Sequence, residues 1–137
     1  MQTFIPFDDH AASARVLDRQ RLGKQRVETL QILNTLTSGN KGWSNHPAVK
    51  MWRGHESALV QYGLAVCDEW VARGYRDTCR DKIAAFDGIG NAEAPAWFGD
   101  PAIHASHRGV LLHKNNDYYA QHGWDDAPVE SVIWPVE

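Results

Sequence analysis

Residues 19–36 place the tightest constraint on what this chain can fold into. They read Arg-Gln-Arg-Leu-Gly-Lys-Gln-Arg-Val-Glu-Thr-Leu-Gln-Ile-Leu-Asn-Thr-Leu, contain no proline, and repeat their apolar positions at helical spacing. Leu22, Val27, Leu30, Leu33 and Leu36 fall within one half of a helical wheel, so that half faces a core. Arg21, Lys24, Glu28 and Gln31 share the opposite side, which sets one carboxylate among cations on a single face. Arg26 projects into the leucine side, where a guanidinium has to be paired, reach outward or line a cleft. Gly23 costs about 1 kcal/mol relative to alanine inside a helix and marks a close approach of backbone or ligand, or a kink. Spacing alone equally permits a solvated basic face with a Lys24–Glu28 pair.

A chain of 137 residues suffices for one domain around one core, and 43% hydrophobic residues with six tryptophans exclude a disordered chain. No segment approaches the ~18 apolar residues of a membrane span, and the first residues lack a secretory signal pattern. With Cys67 and Cys79 as the only cysteines, the expectation is a cytoplasmic protein holding two free thiols. The net charge of −3 disfavours nucleic acid as a default partner. Its distribution does not: residues 1–60 carry 8 Lys/Arg against 5 Asp/Glu, and residues 61–137 carry 6 against 12. A polyanion has a usable face between Arg15 and Glu28, where five cations meet two acids.

The remaining elements follow from caps and breakers. Asp8 or Asp9 caps a helix over 10–17, and Leu17-Asp18-Arg19 turns the corner into the basic helix with Asp18 as its N-cap. Residues 38–42 end that helix as a loop. Asn45-His46-Pro47 opens a long amphipathic helix, roughly 27 residues or ~40 Å, closing at Gly74. Asp77 caps a short helix to about Phe86. Asp100-Pro101 starts another, which breaks at Asn115-Asn116, resumes through Tyr118-Tyr119 and stops at Gly123. No strand pair, repeat or low-complexity segment is present in the pattern. The expected fold is all-α: a single compact helical domain over residues 1–137, with one long central helix and an irregular C-terminal tail.

The helix from Pro101 carries His104 and His107 on its apolar side, followed by Arg108, His113 and Lys114. Imidazoles placed so face the body of the protein or a cleft in it. Two histidines at i, i+3 fall short of the i, i+4 pair plus third ligand of a helical zinc site, so no metal is assigned. Satisfied structural histidines and a substrate- or phosphate-contacting cluster both remain open. Ser106 beside His107 lacks a nucleophile-elbow context. Gly88-Ile-Gly90 lacks the strand and helix of a dinucleotide loop, so no cofactor is expected. Trp97, Tyr118, Tyr119 and Trp134 are core or loop anchors before they are base-stacking platforms.

In combination, four features resemble the pyrimidine-dimer DNA glycosylase family, the endonuclease V-like enzymes, in a divergent bacterial branch. They are the Leu17-Asp18-Arg19 corner, the helix with Arg26 and Glu28, the Ala72-Arg73-Gly74-Tyr75 helix end, and Pro95-Ala-Trp-Phe-Gly-Asp-Pro-Ala-Ile-His104. Asn45-His46-Pro47, His104-Ala-Ser-His107-Arg108 and Trp134-Pro135 point to the branch. The resemblance implies an α-helical glycosylase and abasic-site lyase of DNA repair. In such enzymes the N-terminal α-amine attacks the sugar C1′ and a helix glutamate assists β-elimination. An α-amine pKa of ~8 leaves a useful neutral fraction. By position Glu28 matches the glutamate, and Gln2 is bulky enough that Met1 is retained as the nucleophile. The family's arginines immediately before and three residues after the glutamate are Val27 and Gln31 here.

The expectation is therefore Met1 and Glu28 as catalytic residues. Arg21, Lys24, Arg26, His46, His104, His107, Arg108 and Lys114 are the expected substrate or phosphate contacts, with DNA as partner. The rival expectations are a non-catalytic nucleic-acid-binding module and a metal-dependent hydrolase built on the histidines.

Overall fold

The computed structural model describes residues 1–38 and 42–136, so part of the expected 38–42 loop lies outside the described residues. Among the described residues there are seven α-helices and one 3-10 turn, and no strand. The helices are α1 (His10–Arg15), α2 (Arg19–Ser38), α3 (Pro47–Lys50), α4 (Glu56–Ala72), α5 (Arg80–Ala84), α6 (Pro101–Lys114) and α7 (Asn116–Tyr119). Helix α4 is the centre, packed against α1, α2 and α5. Its buried Leu59, Tyr62, Val66 and Cys67 meet Leu22, Ile32 and Leu33 of α2 in one core that also takes in Trp52 and Leu111. Cys67 and Cys79 are buried free thiols. None of the helices is long and apolar enough to cross a membrane.

Asp9 and Asp100 cap their helices as expected, whereas Asp18 offers α2 only its backbone carbonyl, to Leu22 N at 2.9 Å. The Asp9 side chain accepts from Ala12 N at 2.8 Å, and Asp100 accepts from Ala102 N at 3.0 Å with Pro101 as the first helical residue. Asp77 accepts from Arg80 N at 2.8 Å just before α5. Asp18 precedes α2, and its carboxylate takes the Tyr119 hydroxyl and Arg21 Nη1 as donors. The 3-10 turn Ala120–His122 ends at Gly123, whose φ of 73° is left-handed.

Two expectations change. The helix predicted over 47–73 is two helices, α3 and α4, because Gly54 adopts φ 84° between them and its amide is taken by the Glu56 carboxylate at 3.2 Å. The buried face of α2 is also rotated from the predicted leucine half. Gln25, Thr29 and Thr35 are buried with Leu22, Ile32 and Leu33, while Val27 is 45% exposed. Gln2 and Phe4 of the N-terminal segment sit on Gln25, and Thr29 lies against Gly63 of α4. At Gly23 the close approach is that of a side chain rather than of a backbone or ligand: a Cβ there would stand 3.0 Å from the Trp70 ring.

Candidate active site

Thr3, Phe4, Ile5 and Pro6 are buried, yet they form neither helix nor strand. A buried extended peptide without a pairing strand needs other partners for its N–H and C=O groups. Here side chains supply them. Gln25 Nε2 donates to Gln2 O at 3.0 Å, and Gln25 Oε1 accepts from Phe4 N at 2.9 Å. The Tyr62 hydroxyl lies 2.9 Å from Phe4 O and 2.6 Å from Gln25 Oε1. His107 Nδ1 accepts from Ile5 N at 3.0 Å, and His104 Nδ1 donates to Ile5 O at 2.8 Å. Arg108 Nη1 donates to Pro6 O at 2.7 Å, and Ser13 Oγ bridges the amide and carbonyl of Phe7. The N-terminal arm is thus threaded between α2, α4 and α6 and held by their polar side chains.

The tautomers follow from these bonds. Gly99 N donates to His104 Nε2 at 2.9 Å, so the His104 proton sits on Nδ1. His107 accepts at Nδ1, so its proton sits on Nε2, a buried atom with no partner. Burial, with a smaller effect of His104, drops the His107 pKa to about 3, so its ring is neutral.

The arm delivers the chain's first residue to Glu28. Met1 and Glu28 line one hollow of about 440 Å³ with Gln31, Asn34, Thr35 and Trp43. On the other side of Glu28 lies a hollow of about 230 Å³ bounded by Arg21, Lys24 and Lys114 together with Gln2 and Phe4. A shallower groove of about 750 Å³ continues from Glu28 past Lys24 to Arg19 and Trp70. Glu28 lines all three. Burial raises its pKa, opposed in turn by the N-terminal ammonium, by Lys24 and by the 2.8 Å bond from Gln25 Nε2. A carboxyl balanced in this way, beside a primary amine, is suited to proton transfer.

The predicted site residues separate into three groups. Met1, Glu28, Arg21, Lys24 and Lys114 surround the connected hollows. His46 stands at their margin. Its Nδ1 accepts from Ala48 N at 3.1 Å, and burial, then the N-terminal ammonium, lowers its pKa. His104, His107, Arg108 and Arg26 form the third group, held away from the Glu28 hollows. The histidines and Arg108 grip the arm, and Arg108 is also fixed by Asp126 at 2.7 Å. Arg26 is paired with Asp77 at 2.6 Å, its guanidinium 4.4 Å over the Trp70 ring, which resolves how it sits on the apolar side. No group of three or more His, Cys, Asp or Glu among the described residues is arranged to hold a metal ion. The metal-hydrolase reading therefore finds no ligand set there.

Gln25 and Trp43 are the site residues that the sequence did not single out for chemistry. Gln25 reads as an ordinary helix amide, and only its position beside the leucine half hints at burial.

This is an all-α protein whose own first residues form one wall of its candidate site. A comparison with family profiles gives the same direction from sequence. Residues 1–83 match that of the pyrimidine dimer DNA glycosylases, and the chain belongs to that family. The match spans the arm, α1 to α4 and nearly all of α5, while α6, with its histidines, Arg108 and Lys114, lies beyond it. No curated protein and no solved structure matches the chain.

Proposed function

We propose that this protein is a DNA N-glycosylase with abasic-site lyase activity that works in DNA repair, with residues 1–137 acting as one domain. The observation that supports it is the seating of the arm: Met1 lines the same hollow as Glu28, and the N-terminal ammonium acts electrostatically on the Glu28 carboxyl. The neutral amine attacks C1′ of a damaged nucleotide, the N-glycosidic bond breaks, and the base leaves with a proton. The sugar ring then opens: the C1′–O4′ bond breaks, O4′ takes up a proton, and the iminium formed between C1′ and the amine nitrogen acidifies the C2′ protons. Glu28 removes one of them, the C3′–O bond breaks, and the 3′ phosphate departs. Arg21, Lys24 and Lys114 hold the backbone phosphates, taking over where Val27 and Gln31 are uncharged. Access to C1′ requires the nucleotide to leave the stack.

Borohydride trapping on abasic-site and dimer-containing DNA tests the reading. The expected result is a covalent adduct, lost when the α-amine is acetylated. Glu28→Gln is expected to form adduct yet lose strand scission. Salt-sensitive binding with no adduct on any DNA tested would leave a binding module in place of an enzyme.

A further inference from the structure

We infer that Gln25 is a positioning residue that couples the seating of the N-terminal arm to the orientation and ionisation of Glu28. The inference deepens the proposed reaction and rests on it for its catalytic consequence. A primary carboxamide offers two N–H donors and two acceptor lone pairs. At Gln25 both donors and one acceptor lone pair are engaged, and the second lone pair faces the Tyr62 hydroxyl, whose single proton is shared with Phe4 O. Nε2 donates to Gln2 O at 3.0 Å and to Glu28 Oε2 at 2.8 Å, while Oε1 faces Phe4 N at 2.9 Å and the Tyr62 hydroxyl at 2.6 Å. The side chain is 1% exposed, so water does not replace these partners.

One rigid group therefore touches the residue that follows the nucleophile, the arm's first buried amide and the catalytic carboxylate. If the arm slides by one residue, Gln25 loses Gln2 O and Phe4 N together. The amide can then rotate, and Glu28 loses its donor. Conversely, protonating Glu28 at Oε2 weakens the bond from Nε2 and loosens the hold on Gln2. The N-terminal ammonium and Lys24 act on this carboxylate, Arg21 and Lys114 line the hollow beside it, and Tyr62 lies on the far side of the amide.

Two measurements test the coupling. In the unmodified protein, the Gln25 side-chain amide resonances should shift with pH along the titration of the Glu28 carboxyl carbon, with slow exchange of both amide protons. Amide resonances that do not follow Glu28, or that exchange like a solvated glutamine, overturn the inference whether or not the protein cleaves DNA. In the second, Gln25→Met keeps the volume and removes every bond. Its expected effect is a fall of about 10²-fold in kcat for strand scission with KM little changed, the size expected when reacting groups are misplaced by about 1 Å. The acid limb of its kcat profile moves to higher pH. Tyr62→Phe serves as the comparison, since it removes the hydroxyl shared by Phe4 O and the amide oxygen and leaves both Nε2 bonds, to Gln2 and to Glu28, in place. A wild-type kcat and pH profile in Gln25→Met, or an equal loss in a Tyr62→Phe protein of matched stability, overturns the inference. Absence of adduct in the unmodified protein instead removes the Schiff-base reaction and leaves the resonance test standing.

Discussion

Acidification should detach the N-terminal arm, and His107 sets the size of the effect. In the unfolded chain its imidazole takes a proton near pH 6.5; in the fold, burial holds it neutral down to about 3. A depressed pKa means that the unfolded state binds the extra proton, so the stability is present above pH 6.5 and is lost as pH falls. The loss is about 1.4 kcal/mol per pH unit, or about 5 kcal/mol across the whole window. That is comparable to the entire stability of a small domain. The proton has one place to go, because Nε2 already carries hydrogen: it must land on Nδ1, the atom that accepts from Ile5 N at 3.0 Å. Charging His107 therefore breaks the arm's bond directly. The assay is urea unfolding of the wild type and His107→Gln between about pH 6.5 and pH 4.5, with amide exchange at Ile5 recorded alongside. The variant keeps an acceptor but does not titrate, so the wild-type slope should be steeper by about 1.4 kcal/mol per pH unit. His10, also lowered by burial, and Glu28, raised by it, act in both proteins and cancel in the difference. Parallel stability curves, or Ile5 exchange that is no faster at low pH, would refute the reasoning.

Lys114→Ala should weaken binding to all DNA sequences about equally and reduce the salt dependence of log K by about 1, since Lys114 is an exposed cation on the wall of the Arg21–Lys24 hollow; an unchanged salt slope removes it from the phosphate contacts. Arg26→Met should behave oppositely, because its guanidinium is spent on Asp77 and Trp70. Thermal and urea unfolding should show a loss of about 3 kcal/mol from the stranded Asp77 carboxylate, with the DNA salt slope unaltered. A lowered slope at wild-type stability would return Arg26 to the phosphates.

Local chemistry was legible in the sequence and distant partners were not. Asp9, Asp100-Pro101 and Gly123 announce helix ends because the groups they satisfy lie within a few residues. The pattern around Gly54 runs on at helical spacing, so the break between α3 and α4 was invisible until its positive φ was seen. His104 and His107 were correctly set on the apolar side of α6, but their partner is the backbone of Ile5, about a hundred residues earlier. Periodicity has no means of finding such a partner. The same arm explains why the buried sector of α2 is turned toward Gln25: the core face of that helix is defined partly by a peptide with no amphipathic pattern of its own.

That peptide also accounts for an otherwise odd feature of the core, its load of buried polar side chains. Gln25, His104, His107 and Thr3 are all at most 4% exposed, and Tyr62 is fully buried. Removing any partner leaves a buried amide or carbonyl unsatisfied, at about 1–3 kcal/mol each, whereas each bond formed contributes only about 1 kcal/mol. The cost of leaving any one bond unmade favours a fully seated arm over a partly seated one. Its partners come from both sides of the family match: Gln25 and Tyr62 within residues 1–83, His104, His107 and Arg108 beyond them. The position of Met1 beside Glu28 is in this way set by helices that pack from opposite ends of the chain, before any substrate arrives. On the proposed reaction, a site prearranged like this would need no binding energy to bring the Met1 amine to Glu28, which leaves that energy for extruding the nucleotide.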